Sequence, residues 1–286
     1  MHKNSALDFK NIAIVGLGLI GSSLCKAIKD NNIPVNIFGS DINLDALEYA
    51  KNNNIIDEPC INIDDAVVNS ELIVLCTPTY ETDNILSSIT KFFDTDKVVT
   101  DTFSIKDPVL KFLENNKMLK VRNFVMSHPI AGNENSGAEN SLSNLYSGTN
   151  TIVCSLSNTK NSSIVSVKNL WEALGSNVID LDVNIHDKVL GVSSHFPHAL
   201  SYLLANLIDE YRNSNELFIN TQSLDGMLRI SKSDPKLWSS IIYENREIIS
   251  VLLNKYSDKL DTLVNIINSK DVADLEYFLT NDKSKK

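Results

Sequence analysis

The sequence predicts an α/β fold: a doubly wound parallel sheet over the first 180 or so residues, then an all-helical half. Three observations predict it. Short apolar runs alternate with stretches of helical spacing up to about Asp180. Strand signals vanish from about Val183 onward. The first apolar run, Ile12-Ala13-Ile14-Val15, leads into the glycine turn Gly16-Leu17-Gly18-Leu19-Ile20-Gly21 and then into Ser22-Ser23-Leu24-Cys25-Lys26-Ala27-Ile28.

That strand, turn and helix form a Rossmann-like dinucleotide fingerprint. Backbone N–H groups and a helix N-terminus stand where a pyrophosphate can sit. Gly16 allows the tight turn, Gly18 lets the pyrophosphate approach, and Gly21 lets the helix pack on the strand. Leu17, Leu19 and Ile20 complete the cofactor loop. Asp41 ends the second apolar stretch, Val35-Asn36-Ile37-Phe38-Gly39-Ser40, about 20 residues after Gly21. A carboxylate there accepts both ribose hydroxyls of NAD and repels the 2′-phosphate of NADP. No Arg stands among Ile42, Asn43, Leu44 and Asp45, so NAD is expected. The alternative is a glycine turn that binds no dinucleotide.

The next elements follow in order. Residues 44–53 space Leu44, Leu47 and Ala50 as a helix. Glu71-Leu72-Ile73-Val74-Leu75-Cys76 is a run suited to a strand buried on both faces. Thr77 and Pro78 stop it and are assigned to the cofactor site. Lys97-Val98-Val99-Thr100-Asp101 is another strand, with a helix from about Asp107 to Asn115. Asn123-Phe124-Val125-Met126-Ser127 is a third, ending at His128-Pro129. Thr151-Ile152-Val153-Cys154 and Asn177-Val178-Ile179-Asp180 flank a helix around Leu170-Trp171. In the second half, residues 199–208 read as a very apolar helix. Asp234-Pro235 reads as an N-cap with Pro at the first helical position. One helix then runs from Trp238 through Ile241, Ile248 and Ile249 to Leu253. These apolar faces are too many for one thin helical layer, so dimerisation through this half is expected. The domains are accordingly 8–182, dinucleotide-binding, and 183–286, helical, for substrate and dimerisation.

Bulk properties narrow the function. A chain of 286 residues with 43% hydrophobic content forms one large or two modest domains. No stretch approaches a membrane span of about 20 apolar residues. Residues 1–6 lack a signal-peptide core, and the polar tail 281–286 is expected to fray. Cys25, Cys60, Cys76 and Cys154 are far apart, which suits buried thiols in a reducing cytoplasm. A net charge of −10 disfavours general nucleic-acid binding, and an anionic substrate needs a local basic pocket.

Several polar residues stand at strand ends, where open α/β sheets bind ligands. Ser104, after Asp101, either hydrogen-bonds substrate or nicotinamide or caps the next helix. His128 is either a general base for a hydroxyl proton or a capped loop histidine. His186-Asp187 and Ser194-His195-Phe196-Pro197-His198 cluster at the start of the helical half. The H-x-x-H spacing is not read as a metal site, because Pro197 separates the histidines and no Cys lies nearby. Polar or cationic contacts to an anionic substrate fit better. Arg229 is either a bidentate carboxylate clamp or a surface arginine.

Together these pieces resemble the prephenate/arogenate dehydrogenase family of tyrosine biosynthesis, from Asn11 to about Asn245. The motifs are GLGLIGSSL, TDTFSIK, SHPIAG, NENSGAENSLSNLYSG, HDKVLGVSSHFPHAL and RISKSDPKLW. The resemblance implies a dinucleotide domain followed by a helical dimerisation domain. It implies oxidative decarboxylation of prephenate to 4-hydroxyphenylpyruvate with NAD, in a cytoplasmic homodimer. By family position His128 is the base on the ring hydroxyl, and Ser104 hydrogen-bonds that hydroxyl and helps place the nicotinamide. Arg229 binds a substrate carboxylate, His195 and His198 line the pocket, and Glu134 gates it. The family's D-x-T-R motif departs here: Gly226 holds the acid's position, Leu228 stands for Thr, and Asp225 is shifted by one. That segment touches the substrate side chain in the family, so the departure bears on side-chain specificity and on a Glu134–acid–Arg229 gate. No chorismate mutase segment and no separate regulatory domain are expected. The nearest rival is an arogenate dehydrogenase. Others are a β-hydroxyacid dehydrogenase, with Lys188 or Lys232 as catalytic lysine, and a dinucleotide-binding protein without turnover.

Overall fold

Among the described residues eight strands form one sheet. The computed structural model describes residues 7–214 and 218–281. Residues 1–6, read above as lacking a signal-peptide core, and the tail 281–286, expected to fray, lie outside the described residues apart from Asn281.

The elements run β1 (Asn11–Val15), α1 (Leu19–Asp30), β2 (Asn36–Ser40), α2 (Leu44–Asn52), β3 (Glu58–Cys60), α3 (Ile63–Val68), β4 (Leu72–Leu75), α4 (Thr82–Ile89), β5 (Val98–Asp101), α5 (Asp107–Asn115) and β6 (Phe124–Ile130). Then come β7 (Asn150–Ser155), α6 (Asn161–Ala173) and β8 (Asn177–Asp180). The helical half holds α7 (Val183–Leu190), a π-helical turn (Gly191–His195), α8 (Phe196–Ser214), α9 (Gln222–Leu228), α10 (Pro235–Glu244), α11 (Arg246–Ser269) and α12 (Val272–Asn281). Among the described residues no helix is long and apolar enough to cross a membrane.

Both faces of the central strands are buried, as the continuous apolar runs demand, while the edge strands β3 and β8 stay largely exposed. Ile12 and Ile14 of β1 point into one core, with Leu24 and Trp171. Ala13 and Val15 point into the other, with Ile73, Phe124 and Met126. The strand order β3-β2-β1-β4-β5-β6-β7-β8 places a topological switch point between β1 and β4, beside the glycine turn.

Three features correct the sequence reading. The sheet is not parallel throughout, because β6 and β7 pair antiparallel. Residues 131–149 between them hold only a short 3₁₀ turn, so no crossover helix returns the chain to the far end of the sheet. Strand β6 also continues through His128 and Pro129 to Ile130. Its pairing with β5 stops at Val125, so the missing N–H of Pro129 costs no bond on that side. Finally, the long helix expected after Asp234 is two helices, broken at Asn245. The Asp234 cap does form, its carboxylate accepting from the Lys236 N–H.

Candidate active site

The glycine turn needs its glycines. Gly16 has φ +96°, and a Cβ on Gly21 would lie 1.9 Å from the Gly16 carbonyl oxygen. Nothing lies within 4 Å of where a Gly18 Cβ would stand, which leaves open room beside the helix N-terminus. Asp41 is tied to this turn. Its Oδ2 accepts from the Leu17 N–H at 2.6 Å and its Oδ1 from the Asn43 N–H at 2.8 Å. The Thr77 hydroxyl, past the end of β4, is buried without a partner. An open cradle, an anchored acid and an orphaned hydroxyl fit a dinucleotide.

Next to β4, the ends of β5 and β6 are sewn together by a buried network. Asp101 Oδ1 accepts from the Ser127 N–H at 3.0 Å, and the Ser127 hydroxyl donates to the Asp101 carbonyl at 2.6 Å. The fully buried Lys106 ammonium pairs with Asp101 Oδ2 and donates to the Ser127 carbonyl at 2.8 Å. A buried ion pair persists only when its remaining groups are hydrogen-bonded, as here. The network holds the strand segment immediately before His128.

His128 is buried, with Nδ1 3.0 Å from His186 Nε2. His186 Nδ1 lies 2.6 Å from Asp187 Oδ1. Asp187 also accepts from the backbone N–H of Lys106 at 2.9 Å and of Asp107 at 2.7 Å. It thereby caps α5 from the helical half. Ser104 is therefore not the cap of that helix: Lys106 holds the N-cap position and Asp187 satisfies the first N–H groups. Ser104 stays half-buried in the loop after β5.

His195 lies buried in the π-helical turn. Asn245 Nδ2 donates to the Asp187 carbonyl at 2.8 Å and faces His195 Nδ1 at 2.9 Å. Because a carbonyl must receive an N–H, the amide's orientation is fixed, and its second hydrogen goes to His195 Nδ1. His195 Nε2 then carries the ring hydrogen. It is buried and has no hydrogen-bond partner, although the Ser104 backbone is close enough to favour a charged ring. Gly191 permits this arrangement, since a Cβ there would come 2.9 Å from Asn245 Nδ2. His198 stacks on Trp238 with ring centroids 3.4 Å apart. Arg229 is exposed and its Nη1 lies 3.9 Å from Glu134 Oε2, while a Cβ on Gly226 would meet nothing within 4 Å. Lys188 and Lys232 are exposed.

The histidines are neutral at pH 7. Burial, then His186, Lys106 and His195, hold the His128 pKa well below its usual value. Burial also lowers His186, against the pull of Asp187, and takes His195 down to about 4. The cationic contacts anticipated from the His cluster therefore reduce to polar ones, and the positive charge near His198 comes from Arg229. A stability consequence follows. Below about pH 6.5 the unfolded chain takes up protons on these rings while the folded chain resists. Stability should fall as pH drops below 6.5, by up to about 1.4 kcal/mol per pH unit for each of His128, His186 and His195. For His195 the loss levels off near its folded value of about 4. Urea midpoints from pH 7 to 5 check this; a flat profile contradicts it.

The sequence by itself assigns no role to Lys106, Asp187 or Asn245. Asp187 was visible only as half of a His-Asp pair, and no periodic signal marks a side chain that caps a helix 80 residues away.

Residues 24–180 match the family model described as the nucleotide-binding domain of prephenate dehydrogenase, and residues 182–281 the one described as its dimerization domain. A cyclohexadienyl dehydrogenase of Zymomonas mobilis is 30% identical over 97% of this chain and 95% of its own length. A prephenate dehydrogenase of Lactococcus lactis is 28% identical over 96% of this chain and 76% of its own. Among solved structures, the prephenate dehydrogenase of Aquifex aeolicus in complex with hydroxyphenyl propionate and NAD⁺ superposes with a TM-score of 0.87 at 31% identity, covering 98% of both chains.

Proposed function

The chain belongs to the prephenate/arogenate dehydrogenase family, and from that premise we propose that it is an NAD-dependent prephenate dehydrogenase that forms 4-hydroxyphenylpyruvate and CO₂. The observation that carries the reading is His128: a neutral imidazole, buried at the carboxyl end of β6, against His186 and near His195, whose own ring lies close to the Ser104 backbone.

Residues 16–21 with Asp41, Thr77 and Pro78 hold the cofactor, which supplies the hydride acceptor when bound. Asp41 meets the ribose hydroxyls and disfavours a 2′-phosphate. His128 takes the proton of the ring hydroxyl as the carbinol carbon is oxidised. Ser104 hydrogen-bonds the same hydroxyl. Arg229 binds one substrate carboxylate, His195 donates through Nε2, and His198, held by Trp238, lines the pocket. Glu134 pairs with Arg229 and gates entry. Loss of the ring carboxylate leaves an aromatic product, so the chain has only to align and desolvate the reactants.

We assign residues 8–182 to the dinucleotide domain and 183–286 to a helical domain that forms a cytoplasmic homodimer. Support for the dimer comes from α11, where Tyr256, Leu260, Val264 and Ile267 form an exposed stripe at helical spacing. Arogenate is the second reading, because Glu134 offers a carboxylate that an amino acid side chain could engage. Comparing kcat/KM for prephenate and arogenate, each with NAD and NADP, tests the proposal. Prephenate with NAD should give the highest value. A higher value for arogenate moves the substrate, and one for NADP overturns the role of Asp41.

A further inference from the structure

We propose that Asp187 and His186 are positioning residues that lock His128 in the one tautomer able to act as a base, so that the helical half sets the hydrogen pattern of a base carried by the sheet. The inference rests on the reading of His128 as that base.

One chain of contacts fixes where each hydrogen sits. Burial works against the charge on Asp187. The His186 hydrogen bond and the N–H groups of Lys106 and Asp107 outweigh that cost and hold its pKa below the usual carboxylate value. An ionised carboxylate only accepts hydrogen bonds. The His186 Nδ1 facing it at 2.6 Å must therefore carry the ring hydrogen. His186 is neutral, so its Nε2 is bare and can only accept. The His128 Nδ1 facing it at 3.0 Å must then carry the hydrogen of that ring. His128 is neutral as well, and its Nε2 is left with a free lone pair. The reverse order would set a bare His186 Nδ1 against a carboxylate oxygen, two acceptors in contact in a buried site.

The groups that face this chain support it. Lys106, from the loop before α5, disfavours a second proton on either ring, and its own charge is matched by Asp101 of β5. His195, from the π-helical turn, adds to the same effect on His128. Asp187 does two jobs with one carboxylate. It orients His186, and it caps α5 of the dinucleotide half. The tautomer of His128 is thus tied to the seating of one half of the chain on the other.

Asp187→Asn tests the order of hydrogens with little change of shape. The amide oxygen can still accept from Lys106 and Asp107, while its NH₂ turns toward His186. Every hydrogen in the chain then reverses, and His128 presents Nε2–H. We expect kcat to fall about 10²–10⁴-fold, with little change in substrate KM or in NAD affinity. His186→Leu should give a similar loss. His186→Gln should recover most of it, since an amide offers a donor to Asp187 and an acceptor to His128. Nitrogen-15 NMR of the histidine rings in the unsubstituted enzyme supplies a reading independent of turnover, and one that stands even where a variant fails to fold. Both His128 and His186 should carry hydrogen on Nδ1. A hydrogen on His128 Nε2, or unchanged kcat in folded Asp187→Asn, overturns the proposal. An active His128→Asn enzyme alongside the expected tautomers would instead remove the base reading and leave the hydrogen order intact.

Discussion

Replacing His128 with asparagine is expected to lower kcat by about 10²–10⁴-fold, the range that a positioned general base contributes. NAD affinity should stay close to that of the unsubstituted enzyme, because the glycine turn, Asp41 and Thr77 follow the ends of β1, β2 and β4 rather than β6. An asparagine amide can still donate toward His186, so the buried contact need not be lost. What disappears is the lone pair proposed to receive the hydroxyl proton. Unreduced turnover in a folded, NAD-binding variant would sink the assignment of the base. The acid limb offers a second reading of the same group. His128 is held neutral well below its usual pKa, so activity should persist below pH 6.5 before protonation removes the base.

Arg229→Ala is the second large effect, and it should fall on substrate binding. Prephenate carries two carboxylates, and the buried histidines of the site are neutral, so a permanent charge has to come from a residue such as Arg229. Its guanidinium is exposed and lies 3.9 Å from Glu134, a loose contact that a carboxylate ligand can replace. Losing a charge-assisted hydrogen bond of about 1.5–3 kcal/mol raises substrate KM roughly 10- to 100-fold. The KM for NAD should hardly move. Equal increases for substrate and cofactor would refute the clamp. Gly226 makes the measurement informative. The space around it is open, so no side chain at that position stands in for the missing acid beside Arg229.

The parts of this molecule legible in the sequence are those where a residue type is demanded by its immediate neighbours. Gly21 must lack a Cβ because the Gly16 carbonyl lies against it, and Asp41 must be an acid that can reach the turn. Asp234-Pro235 starts a helix for reasons contained within three residues. What could not be read depends on partners distant in the chain. The direction of β7 is decided by the lack of a crossover helix after β6, whereas its composition suits either direction. Asn245 breaks a continuous helical pattern because its side chain is drawn to Asp187 and His195. Ser104 looked equally suited to capping α5 or to touching substrate, and the cap turns out to come from Asp187. His128 and Arg229 stand out by residue type and position and Glu134 by family position, yet the side chains they contact are tens of positions away.

The role of His128 as the base of an NAD-dependent prephenate dehydrogenase is tested by the stoichiometry of turnover of the unsubstituted protein given NAD and prephenate, with His128→Asn run beside it. One NADH and one 4-hydroxyphenylpyruvate should form for each prephenate consumed, and almost none of either from the variant. Bound NAD with no reduced cofactor from prephenate or arogenate would contradict it.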